Sequence, residues 1–201
     1  MKRRLLFASL ACGLAAIAAA GTVELDAHDS QTYALTTIDV VPTKGELNAA
    51  LMGSGSGSEA PDVQLEGIAA DGSSDTGVRL RAINALPEYY ANGGSEDPVH
   101  QTLAQVITDN QASQSGPNLV VLRAAIESLG ALKYPNDYTT LTGLLNHSSR
   151  DIRAAAARAL GVLCNTAAVP DLRVRYQNES TDQVKLAISA TLRILSQQCG
   201  P

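Results

Sequence analysis

The chain has no tryptophan and one phenylalanine, and aromatics make up only 3% of its 201 residues. A core without large rings has to be filled by Leu, Ile, Val and Ala, which suit closely packed helices better than a sheet sandwich. Histidine is scarce as well. His28, His100 and His147 are scattered and none is followed by Glu, so no His-based metal site is expected and the three read as surface residues. No G-x-S-x-G, GxGxxG or Walker-type loop occurs, and the run "GSGSGS" lacks the lysine and helix that a phosphate loop needs. One pair of neighbouring carboxylates, Glu96-Asp97, precedes Pro98 and reads as a solvated helix start. No catalytic residue, cofactor or metal is therefore expected.

Positive charge is in deficit, with a formal net charge of −5. Residues 21–100 hold thirteen acids against Lys44, Arg79 and Arg81, while residues 101–201 hold seven acids against nine bases. Nucleic acid is not an expected partner, because a phosphate footprint needs a basic face.

The long apolar run is confined to the start. "MKRR" is followed by "LLFASLACGLAAIAAA", a charged n-region and an apolar stretch ending in small residues. Residues 1–20 are expected to be a signal peptide cleaved after Ala20, leaving an exported chain, periplasmic or extracellular, with no membrane span. The run is short for a membrane anchor. A lipoprotein reading would use Cys12 and an unusually short apolar stretch. After cleavage Cys164 and Cys199 remain; in an exported chain such a pair reads as a disulfide, the alternative being two small core residues.

What the chain has in quantity is repetition. "RDIRAAAARALGVL" puts five alanines in six positions, and it has relatives starting at Val78, Val121 and Val184 to match Ile152. Eight residues after each start stands a leucine: Leu86, Leu129, Leu160 and Leu192. The residue before it is always small: Ala85, Ser128, Ala159 and Thr191. These positions share one helical face, so the small residues predict close helix–helix approach and the leucines fill the space between. Arg79, Arg153 and Lys185 follow the first apolar residue and can reach neighbouring turns; the second unit has Leu122 there. Each segment is preceded by another apolar one, at 62–70, 98–107, 138–145 and 168–176, and Ser148 with Asp151 and Ser180 with Gln183 read as capping boxes. The prediction is four helical hairpins, each needing a neighbour to bury its apolar face.

The pattern resembles HEAT repeats of the short type found in the phycobilisome-lyase-like group, carried by "LLNHSSRDIRAAAARALGVL" (144–163) and more loosely by the segments around Val78 and Val184. The resemblance implies an all-α fold, an α-α superhelix. The turn aspartate usual in that family is His147 in the third unit and Glu179 in the fourth, which puts a regular Asp–Arg ladder in doubt. Upstream, "YALTTIDVV" (33–41) suits a strand or extended segment, Thr43 and Glu46 open a helix "KGELNAALM", and residues 53–61 read as a linker. The expected organisation is a signal peptide at 1–20, an N-terminal cap and linker at 21–60, and a repeat domain at 61–201. Cys164 and Cys199 both lie just past equivalent helices, whose ends come close in such a stack.

In HEAT-like solenoids the second helix of each hairpin lines the concave face. The resemblance therefore implies binding candidates at Arg81, Glu127, Arg158 and Arg193, with Tyr89, Tyr90, Tyr134 and Tyr138 near the connections and the loop at 91–97. The same side chains also suit internal roles, the arginines in turns and the tyrosines over hairpin ends. The expected function is a non-enzymatic scaffold or protein-binding module of the bacterial cell envelope or exterior. The rivals are a lyase- or hydroxylase-type enzyme and a structural subunit of an envelope assembly.

Overall fold

The computed structural model describes residues 44–53 and 60–199. The signal peptide, Cys12, His28, the strand expected over 33–41, Thr43 and most of the linker lie outside them. Among the described residues there are nine α-helices and no strand. Helix α1 spans Lys44–Gly53. Four hairpins follow: α2 (Pro61–Ala70) with α3 (Thr76–Ala85), α4 (Pro98–Asn110) with α5 (Pro117–Leu132), α6 (Tyr138–Leu144) with α7 (Arg150–Leu163), and α8 (Val169–Asn178) with α9 (Asp182–Gln197). Pro61, Pro98 and Pro117 stand in the first turns of their helices, where a missing N–H costs little.

The second helix of each hairpin forms a continuous inner row, α3 on α5, α5 on α7 and α7 on α9. Outside it α2 packs on α4, whereas α4, α6 and α8 stand farther apart and leave recesses between them. Helix α1 packs on α2 and buries Leu47 and Leu51. The alanine run lies in the seam: Ala154 to Ala157 are fully buried, and so are Leu86, Leu129 and Leu160. Leu192, in the equivalent position of α9, is only partly buried.

The small column does more than yield space. Ser128 Oγ donates to the Ile83 carbonyl at 3.0 Å, and Thr191 Oγ1 donates to the Ala157 carbonyl at 2.7 Å. Ile83 and Ala157 hold the same place in their repeats, so the two bonds are one stitch used twice. Two residues further along, Gly130 and Gly161 face the small residue of the next repeat. A Cβ on Gly130 would lie 2.8 Å from the Cβ of Ala159, and one on Gly161 would lie 3.2 Å from Thr191 Oγ1. The inner row is therefore set by backbone-to-side-chain contact, at a spacing that a methyl group would disturb.

The helix starts differ in detail from expectation. The N-cap residues of α7 and α9 are Ser149 and Thr181, without side-chain caps, so neither Ser148 with Asp151 nor Ser180 with Gln183 forms a capping box. The exposed amides are met from elsewhere: His147 Nδ1 accepts from Ser149 N, and Glu179 accepts from Ser180 N and Thr181 N. Asp97 does cap α4, accepting from Val99 N, but it is buried and not a solvated start.

Cys164 caps α7 in the left-handed region (φ 61°) and is disulfide-bonded to Cys199, just beyond α9, with Cα atoms 5.3 Å apart. The bond closes a segment with a sequence separation of 35, and in the chain-entropy account such a loop is worth about 4 kcal/mol.

Gly130→Ala should lower stability by about 1–3 kcal/mol in urea titration. Gly143→Ala, whose added Cβ has nothing within 4 Å, should be neutral or stabilising by up to about 1 kcal/mol. Equal effects at both sites would contradict the close contact. Replacing both Cys164 and Cys199 by Ser should cost about 2–4 kcal/mol, and reductant should destabilise the parent chain but not this variant.

Candidate functional site

The turns inside the hairpins share one edge of the stack, and a polar chain runs along it. Arg79 is buried and donates from Nε and Nη2 to the Ala69 carbonyl, closing the end of α2. His147 Nε2–H donates to the Gln111 carbonyl of the preceding repeat at 2.9 Å while Nδ1 accepts from Ser149 N, an arrangement that fixes the tautomer. Arg153 joins the third turn to the fourth. Its Nη1 donates to the carbonyls of His147 and Ser148, and its Nε and Nη2 hold both oxygens of Glu179 at 2.8 and 2.9 Å. Arg175 adds a second guanidinium at 2.7 Å. Glu179 is fully enclosed, and the Arg153 hydrogen bonds in particular hold its carboxyl far below the usual carboxylate range, against the penalty of burial. An Arg–acid rung of the ladder thus forms between repeats three and four, with Glu in place of Asp. In the third turn His147 takes over an acid's work of accepting from the backbone.

The opposite edge carries the connections between hairpins. There the 91–97 loop is folded back on itself. Asp97 Oδ2 accepts from Ala91 N and Gly93 N, and Gly94 N donates to Tyr90 Oη. Gly94 (φ 66°) lies against the ring of Tyr134, which stacks edge-on against His100 at 5.2 Å. His100 is not a surface residue: it is buried, and its Nε2 is 2.8 Å from Asp137 Oδ1. Burial pushes the Asp137 carboxyl above its ordinary range, opposed by the hydrogen bond to His100. His100 Nδ1 and Asp137 Oδ2 are enclosed without a partner among the described residues. Nothing in the sequence pattern announced this pair, because the two residues are 37 apart and meet only when α4 packs beside the turn before α6.

The eight expected binding residues separate into groups. Arg158 Nη2 donates to Glu127 across the α5–α7 seam at 3.2 Å, and Arg123, not one of the eight, shares the same oxygen at 3.1 Å. All three are exposed, as is Arg81 on α3. Arg193 lines a recess at the end of the stack with Arg173. Tyr89 fixes α1: its hydroxyl bonds Asn48 at 2.6 Å and Lys44 sits over its ring. Tyr90 and Tyr134 meet at Gly94, and Tyr138 packs against the core. On the outer side, a recess of about 550 Å³ between α4 and α6 is lined by polar side chains including Thr108, Gln111, Thr140 and Asn146.

Among the described residues no group of three His, Cys, Asp or Glu side chains is arranged to hold a metal ion, and no helix is long and apolar enough to cross a membrane. A family model described as HEAT repeats matches residues 110–193. No curated protein and no solved structure matches the chain.

Glu179 gives this edge a pH dependence. Its folded-state pKa lies below its ordinary value of 4.5, so its stabilisation is fully present above that value and is lost as pH falls further. Glu179→Gln should cost about 3 kcal/mol at neutral pH, since it strands two partly buried guanidiniums. The gap between parent and variant should narrow in urea titrations at about pH 3. A gap independent of pH would contradict the arrangement.

Proposed function

The chain is a HEAT-repeat protein, and we propose that it acts as a non-enzymatic scaffold or protein-binding module of a bacterial cell envelope or exterior. HEAT repeats commonly mediate protein–protein contacts. The observation that carries the reading is the inner row itself. Its helices are held by buried stitches and close contacts, so the surface they present is ordered before a partner arrives and little entropy is lost on association.

The exposed part of that row has the chemistry for the task. Arg123, Glu127 and Arg158 form a surface ion triad across two repeats. Exposed pairs of this kind add only about 0–1 kcal/mol to folding, so a partner carboxylate can take an arginine from Glu127 at small cost. The disulfide supports placement in an oxidising compartment, where such bonds persist.

The reading is tested by capture from an envelope extract of the source cells, followed by identification and reconstitution of any retained protein. Arg158→Glu should abolish retention of a specific partner while leaving the melting temperature within about 2 °C, because the triad contributes little to folding. An unchanged set of captured proteins would remove the inner face from consideration.

A further inference from the structure

The repeats provide their own standard for judging the last one. In the first three, the leucine column (Leu86, Leu129, Leu160) is sealed by the hairpin that follows. Leu192 holds the same place and is only partly buried, at the floor of an open groove of about 490 Å³ between α8 and α9. Val169 and Leu195 complete an apolar floor, and Arg173 and Arg193 stand over it from the two helices. Among the described residues no carboxylate lines the groove, and neither guanidinium donates to any of their groups.

Arg193 carries the inference further. It occupies the position of Gly130 and Gly161, where the next inner helix approaches so closely that a Cβ would collide or crowd. An arginine there would obstruct another hairpin at the close spacing that Gly130 and Gly161 allow between the second, third and fourth repeats. A like end of a second copy would set Arg173 and Arg193 against their own kind. The groove therefore keeps the apolar floor of a repeat interface while its rim is cationic.

We propose that this terminal groove is a docking site for an acidic, aliphatic segment of a partner protein, with apolar side chains over Leu192 and Val169 and carboxylates on Arg173 and Arg193. Two guanidiniums without a partner among the described residues favour carboxylates through charge-assisted, fork-like hydrogen bonds. The disulfide keeps the groove in shape: Thr166 and Ser196 line it, each within three residues of a bonded cysteine. The inference rests on the reading of the chain as a protein-binding module, but it uses the end of the stack and not the inner face.

The test uses the mature, oxidised chain and two fluorescein-labelled peptides, LEDLLEDL and its basic counterpart LKKLLKKL, read by fluorescence anisotropy. The acidic peptide should bind and the basic one should not. Arg173→Glu with Arg193→Glu should weaken the acidic peptide at least tenfold and admit the basic one, with an unchanged circular-dichroism melt showing that the variant is folded. Arg158→Glu should leave peptide binding intact, so failure of the groove and failure of the inner face are told apart. No acidic-peptide binding, or binding indifferent to the double substitution, would overturn the proposal. So would sedimentation showing a dimer lost on Arg193→Glu, which would assign the groove to a second copy. Saturable binding of dodecanoate in place of the peptide would overturn it in favour of a small amphiphile.

Discussion

Everything in this molecule depends on how closely the inner helices approach. Where Gly130 faces Ala159 there is no room for one more carbon, and the spacing recurs, slightly relaxed, where Gly161 faces Thr191. A helical hairpin of this size cannot hide its apolar face by itself, so contact with its neighbours determines whether it folds. Close approach brings the Ser128 and Thr191 hydroxyls within reach of carbonyls in the preceding repeat, and it lets alanine, which has little surface, still bury what it has. The chain needs few aromatics because its gaps are small.

The turn edge solves a different problem. Hairpin turns expose amides and carbonyls that no regular ladder satisfies. Arg79 serves its own hairpin, His147 reaches back one repeat, and Arg153 reaches forward to Glu179. Two arginines and a histidine thus answer the same need in three directions. The cost of ordering His147 and Arg153 is offset because each meets more than one group at once. Arg153 in particular is a single guanidinium contacting two carbonyls and both oxygens of one acid.

The repeat, its register and the pairing of Cys164 with Cys199 were legible in the sequence because they are periodic, and periodicity is what one chain alone can display. The small residue before the leucine translates directly into burial in all four repeats, and the leucine column does so in the first three. The glycines two positions beyond that small residue belong to the same register, but the pattern of apolar residues gave them no weight. The His100–Asp137 pair was illegible for the opposite reason: it occurs once, in a connection of irregular length. The capping pairs failed because a turn amide is satisfied by whichever acceptor lies nearest in space, and Glu179 and His147 lie nearer than the serines. For the surface, residue type pointed correctly to Glu127 and Arg158 as exposed, whereas Tyr89 and Tyr138 are occupied by α1 and the core, contacts that no local spacing encodes.

The disulfide changes how the stack would carry tension. Because Cys164 ends α7 and Cys199 follows α9, the last hairpin lies inside a covalent loop. A pull arriving from beyond Cys199 passes through the sulfurs to the end of α7, leaving α8 and α9 slack in the line of force. Under load the hairpins nearer the N-terminal side would peel away first, and the fourth would stay folded until the third gave way.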